Sequence, residues 1–144
     1  MVNTSSTTFG SSEKLETVSS NFQFSEDQLF EEKLKLLINL LTIDGKTADE
    51  EVSFITPIIQ NSTMRLAKKE AYMDAIWQPF SDYKIDFDLI KKSGDRDEAL
   101  VDLVVLAKRD QVVVPRELEY VQYAAKQLNI DDKVYQKVLD ETYH

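Results

Sequence analysis

Two pairs of carboxylates hold the best case for chemistry in this chain. Asp44 is followed seven residues later by Glu51, and Asp110 is followed at the same spacing by Glu117. Each pair sits in a similar setting, Leu37–Ile55 (LINLLTIDGKTADEEVSFI) and Leu103–Val121 (LVVLAKRDQVVVPRELEYV). Setting Asp44 on Asp110 also superposes Ile38 on Val104, Leu40 on Leu106, Val52 on Leu118, Phe54 on Tyr120 and Ile55 on Val121. A helix hairpin used twice is the simplest reading of that match. It places two acidic turns at equivalent corners of a helical scaffold.

Oxygen-only carboxylate groups suit hard cations such as calcium or magnesium, which gather several oxygens around one point. An EF-hand loop is not present, because a central glycine at Gly45 would put its first ligand position on Leu40. A Glu in the first turn of a helix also has an ordinary structural use, since it bonds back to the cap residue's amide and favours the positive end of the helix dipole. Glu51 and Glu117 fit that use. The residues at the cap positions, Ala48 and Val114, lack side-chain acceptors, although Thr47 paired with Glu50 is an alternative cap. Asp44 and Asp110 lie near helix C-termini, where the dipole disfavours an anion. Turn amides, a cation, or a basic neighbour such as Lys46, Lys108 or Arg109 would compensate them.

Other chemistry lacks its parts. The chain has no Cys and one His, His144 at its end, which excludes thiolate sites and leaves carboxylate-histidine di-iron centres, zinc hydrolysis and a Ser-His-Asp triad incomplete. Asp86 and Asp88 read as a solvated face. Arg65, Lys68 and Lys69 read as the exposed side of a helix, or as a surface for an acidic partner. With 26 acidic against 17 basic residues the net charge is −9, which repels phosphate backbones and excludes nucleic acid as a main partner. No segment is apolar enough to span a bilayer and no secretory signal opens the chain, so a cytoplasmic protein is expected.

The elements that must position these groups read as helices throughout. Residues 1–21, rich in Ser and Thr, are expected to form a flexible tail, with a helical domain over 22–144. Phe24-Ser25-Glu26-Asp27-Gln28-Leu29 combines a cap, a return bond and a hydrophobic staple, and so predicts a helix start. Phe30, Leu34, Leu37 and Leu41 then share one stripe, widened by Leu36, Leu40 and Ile43, and the helix should close near Asp44-Gly45. A second helix from Asp49 carries Val52, Ile55 and Ile59, with Pro57 expected to kink or shorten it. Asn61-Ser62-Thr63 offers caps for a third, with Leu66, Met73, Ile76, Trp77 and Phe80 as its apolar set.

A short helix is expected before Ser93-Gly94, then one over Asp97–Lys108 with Asp95 and Glu98 as a capping pair and Leu100, Leu103, Val104 and Ala107 inward. Pro115 suits the first position of the next helix, whose inward residues are Leu118, Val121, Ala125 and Leu128. Asn129 can close it, and Ile130 with Tyr135 can staple a last helix, Asp132–Thr142. The class is all-α, a single-domain bundle of six or seven helices with an internal hairpin repeat. Tyr72, Trp77, Phe80, Tyr83 and Phe87 crowd one region. Spacing with Met73 and Ile76 assigns Trp77 and Phe80 to the core; exposure would instead mark a partner or self-association surface.

The segments IDGKTADEEVSFI and KRDQVVVPRELEYV resemble the TerB-like domain of tellurite-resistance proteins, a domain also found at the N-terminus of DjlA-type membrane-anchored co-chaperones. The shared element is an apolar helix, an Asp-Gly turn and a Glu early in the next helix, present in two halves. The second half departs from it, with Gln111 where Gly is usual and Lys108-Arg109 before the Asp. The resemblance implies a non-catalytic, stress-associated module that binds divalent metal through Asp44, Glu51, Asp110 and Glu117. Pro115 and Arg116 replace the acids Asp49 and Glu50 of the first half, so the second site would hold less negative charge. The competing expectation is a protein-interaction or homodimerising scaffold whose acidic turns are purely structural.

Overall fold

A computed structural model of the chain describes residues 13–45, 49–109 and 114–142, with side chains from residue 27 onward. Among the described residues there are seven helices and no strand: α1 (Glu13–Thr42), α2 (Asp49–Gln60), α3 (Leu66–Ala75), α4 (Phe87–Lys92), α5 (Arg96–Ala107), α6 (Pro115–Gln127) and α7 (Asp132–Glu141). The all-α class expected from the periodicity is the class observed. The chain divides within α1 into two units, one ending at Glu31 and one beginning at Glu32.

Helix α1 begins at Glu13 and not at Ser25, so the capping signal of residues 24–29 lies inside it. Of the expected tail, residues 1–12 lie outside the described residues, and residues 13–21 form the first turns of α1. No Gly or Pro interrupts EKLETVSSNFQF, so helical bonding carries straight through the potential cap.

In the unit from Glu32 onward the core is built from stripes at helical period. Leu34, Leu36, Leu37, Leu40 and Leu41 of α1 are buried, as are Leu100, Leu103, Val104 and Ala107 of α5 and Val121, Ala124 and Ala125 of α6. Helix α5 packs on α4, α6 and α7, while α2 packs on α3. Each fully buried Leu or Ile contributes about 1.5–3 kcal/mol relative to exposure. Ile130 and Tyr135 are both buried on either side of the α7 start, as a staple requires.

The helix ends follow backbone chemistry more closely than side-chain caps. Gly45 takes φ +82° and its amide donates to the Thr42 carbonyl (3.1 Å), closing α1 in the way a glycine after a helix does. Asn129, at φ +58°, closes α6. Pro57 neither ends nor shortens α2, which continues to Gln60, where the Asn61 amide reaches the Pro57 carbonyl (2.9 Å). None of the expected caps, Asn61, Ser62 or Thr63, sits at the start of α3. The Ser62 hydroxyl donates to the Ile59 carbonyl (2.7 Å), and α3 starts later, after Arg65, without a side-chain cap. Asp95 is the N-cap residue of α5, but its carboxylate does not bond to the helix amides; it pairs with Lys33 at 3.1 Å, and Glu98 lies 3.6 Å from the same ammonium. A lysine across the helix boundary outcompetes the local amide for the Asp95 carboxylate.

Candidate functional site: two acidic corners and an aromatic connection

Helices α2 and α6 begin at matched positions, Asp49 and Pro115, so Glu51 and Glu117 each become the third helical residue. Both are almost fully buried, at 6% and 4% exposure. Buried carboxylates at these places do not stand free: both take part in interactions within the protein, as does the half-buried Asp44. Asp110, with Lys46 and Thr47, lies outside the described residues. Among the described residues no three His, Cys, Asp or Glu side chains come close enough together to hold a metal ion.

Two of the basic neighbours named for the turn acids, Lys108 and Arg109, also reach backbone carbonyls of other helices. Lys108 donates to the carbonyls of Leu139 and of Thr142 (3.1 Å), neutralising the negative end of α7. Arg109 donates through Nε to the Glu50 carbonyl (3.2 Å) and lays its guanidinium over Phe54, 4.8 Å from the ring centre. The end of α5 is thereby tied to the start of α2.

The aromatic region departs furthest from expectation. Trp77 and Phe80 are 59% and 58% exposed, which corrects their assignment to the core, and Leu66 is 69% exposed. Helical spacing stops applying to the two aromatics because α3 ends at Ala75 and Ile76 caps it. Beyond it the chain turns sharply, with Phe80 at φ +56° and Asp82 at φ +48°. A bulky residue at positive φ is costly, and such conformers persist only where surrounding contacts impose them.

Those contacts come from two polar residues at the end of the leucine-rich run of α1. The Thr42 carbonyl accepts from the Phe80 amide (2.9 Å), and its hydroxyl accepts from the Ser81 amide (3.1 Å) while donating to the Ile38 carbonyl (2.9 Å). The Asn39 amide grips both backbone groups of Tyr83: Oδ1 accepts from its N–H (2.6 Å) and Nδ2 donates to its C=O (2.9 Å). Nδ2 also donates to the Tyr120 hydroxyl (2.9 Å). Asn39 and Thr42 are buried, so the connection between α3 and α4 is held by fully engaged polar groups inside the core.

Around this tie lies a cleft of about 450 Å³ between the end of α1, the connection and α6. Tyr123 forms one wall, meeting Phe87 edge-on (centroids 6.0 Å, 81°) and Tyr120 at a tilt (5.8 Å, 38°). Burial pushes the Tyr120 phenol up to about 12, with Tyr123 and Asp82 adding to the rise against the Asn39 hydrogen bond, so the hydroxyl stays protonated at neutral pH. Asn39, Tyr120 and Tyr123 escape a reading for function by sequence. The available signal is a lone amide inside LLINLL, where an apolar residue would serve packing better.

Comparison with protein-family models, with curated proteins and with solved structures finds no match to this chain.

Proposed function

We propose that this chain is a non-catalytic, TerB-like interaction module that engages a protein partner through the exposed Trp77–Phe80 segment. One observation supports this reading above others: two large aromatic side chains stand outward on a connection whose backbone is locked from beneath by Asn39 and Thr42. Exposed aromatics on rigid backbone suit recognition, because little side-chain and loop entropy is lost on binding. The matched starts of α2 and α6, with Glu51 and Glu117 sunk at the same helical position, support the likeness to the TerB-like hairpin pair. The same burial favours a structural role for these two acids over display to an ion. Asp44 and Asp110 keep a calcium or magnesium site testable by titration.

The test compares the wild type with Trp77→Ala/Phe80→Ala, measuring self-association by sedimentation and retention of partners by quantitative affinity enrichment. The double variant is expected to keep its helical content and lose at least about tenfold in association, as anchor aromatics do. Unchanged sedimentation together with an unchanged set of retained proteins would remove the proposal. Addition of calcium or magnesium is expected to leave the melting temperature unmoved; a rise that follows ion concentration would favour the metal reading instead.

A further inference from the structure

The cleft over Asn39 carries chemistry that an interaction surface does not need. Its volume is in the range of small-molecule sites, and Phe87, Tyr120 and Tyr123 are among the residues that line it. Asp82 and Lys84 stand exposed at its mouth, two residues apart on the irregular connection. Neither side chain has a hydrogen-bond or ion-pair partner among the described residues. The Tyr120 oxygen accepts from Asn39, which leaves its O–H as a donor directed away from that bond. One anion, one cation, one phenolic donor and aromatic walls therefore meet in one depression.

We propose that this cleft binds a small zwitterion of the free amino-acid class, its ammonium on Asp82, its carboxylate on Lys84 and the Tyr120 hydroxyl, and its apolar side chain against Phe87 and Tyr123. A simple organic cation would use Asp82 and the ring faces but meet Lys84 as a repulsive neighbour. A simple anion would meet Asp82 in the same way. Only a ligand bearing both charges satisfies both residues, and the aromatic walls favour one with an apolar body. The backbone supports this placement, since Asp82 is held in a left-handed conformation and the tie from Asn39 fixes Tyr83 beside it. Asn39 is a positioning residue here, because both its amide groups are spent on the protein.

The experiment is an NMR titration of the full chain with L-phenylalanine and L-leucine, alongside phenethylamine and 3-phenylpropionate, which each lack one of the two charges. Saturable shifts are expected at the Tyr83 and Lys84 amides and at the Tyr120 and Tyr123 rings. A dissociation constant on the order of 1 mM is what a ligand of this size yields in an open site. Each half-charged analogue should bind about tenfold more weakly than phenylalanine, the loss of one charge-assisted contact. Asp82→Asn, which keeps a residue that tolerates positive φ, should weaken phenylalanine about tenfold and leave 3-phenylpropionate no weaker; Lys84→Gln should weaken phenylalanine and spare phenethylamine. The proposal is overturned if neither amino acid gives saturable shifts, if the shifts map outside the cleft, if the analogues bind as well as phenylalanine, or if both variants bind like the wild type. Trp77→Ala/Phe80→Ala should still bind phenylalanine, which separates this site from the interaction surface.

Discussion

The side chain whose environment opposes its charge most clearly is Asp102. Burial raises its carboxyl above the ordinary carboxylate range; Lys33 pulls the other way, and Glu98 and Asp95 add to the rise. Lys33, which also pairs with Asp95 at 3.1 Å, offsets part of that rise, and desolvation prevails. With its folded value above its unfolded one, ionised Asp102 costs stability at neutral pH. That cost fades as pH falls through the raised value. Asp102→Asn should therefore be as stable as the wild type or more stable at pH 7, and its advantage should shrink as the pH is lowered toward about 4. Urea unfolding at the two pH values measures this, and a variant less stable at pH 7 would show that the Lys33 attraction dominates. Tyr120 follows the same sign at the alkaline end. Its folded value of about 12 exceeds the unfolded value of 10.0, so stability should decline as pH rises between them, because the unfolded chain loses its proton first.

At the scale of elements, the join between α1 and α2 rests on one glycine. Gly45 at φ +82° turns the chain out of α1, and a β-carbon there would meet the Phe80 ring at 3.5 Å, ordinary contact. Space is therefore available, and the backbone conformation is what restricts the position. Gly45→Ala should cost about 1 kcal/mol or more, whereas Gly45→Asn should cost less because Asn tolerates the left-handed region. Thermal unfolding of the two variants checks the order; equal loss in both would point to crowding against Phe80 instead. A similar economy holds just past α5, where Lys108 meets the end of α7 and Arg109 the start of α2.

For the whole molecule, the charge of −9 sets a net self-repulsion that ion pairs such as Lys91 with Asp88 at 3.2 Å offset in part. Screening should relieve it. Raising sodium chloride from about 10 mM to about 0.5 M should lift the melting temperature by about 2–5 °C, since the Debye length falls from about 30 Å to a few ångströms. A fall in melting temperature would mean that local ion pairs such as Lys33 with Asp95 outweigh net repulsion. No helix among the described residues is long and apolar enough to cross a membrane.

The helical class, the buried faces of α1, α5 and α6, Pro115 at a helix start and the closures at Gly45 and Asn129 were all readable from residue order, because each depends on neighbours within about one turn. Trp77, Phe80 and Leu66 are exposed where spacing assigned them to an apolar set, because period places a residue on a face without saying what that face meets. The roles of Asn39 and Thr42 were hidden for the same reason. Their partners lie around forty residues along the chain, at Phe80, Ser81 and Tyr83, and at Tyr120 farther still. Local periodicity settles which atoms are hydrogen-bonded within a helix; only packing brings a buried amide, a turned-out aromatic pair and a cleft of opposite charges to one end of α1.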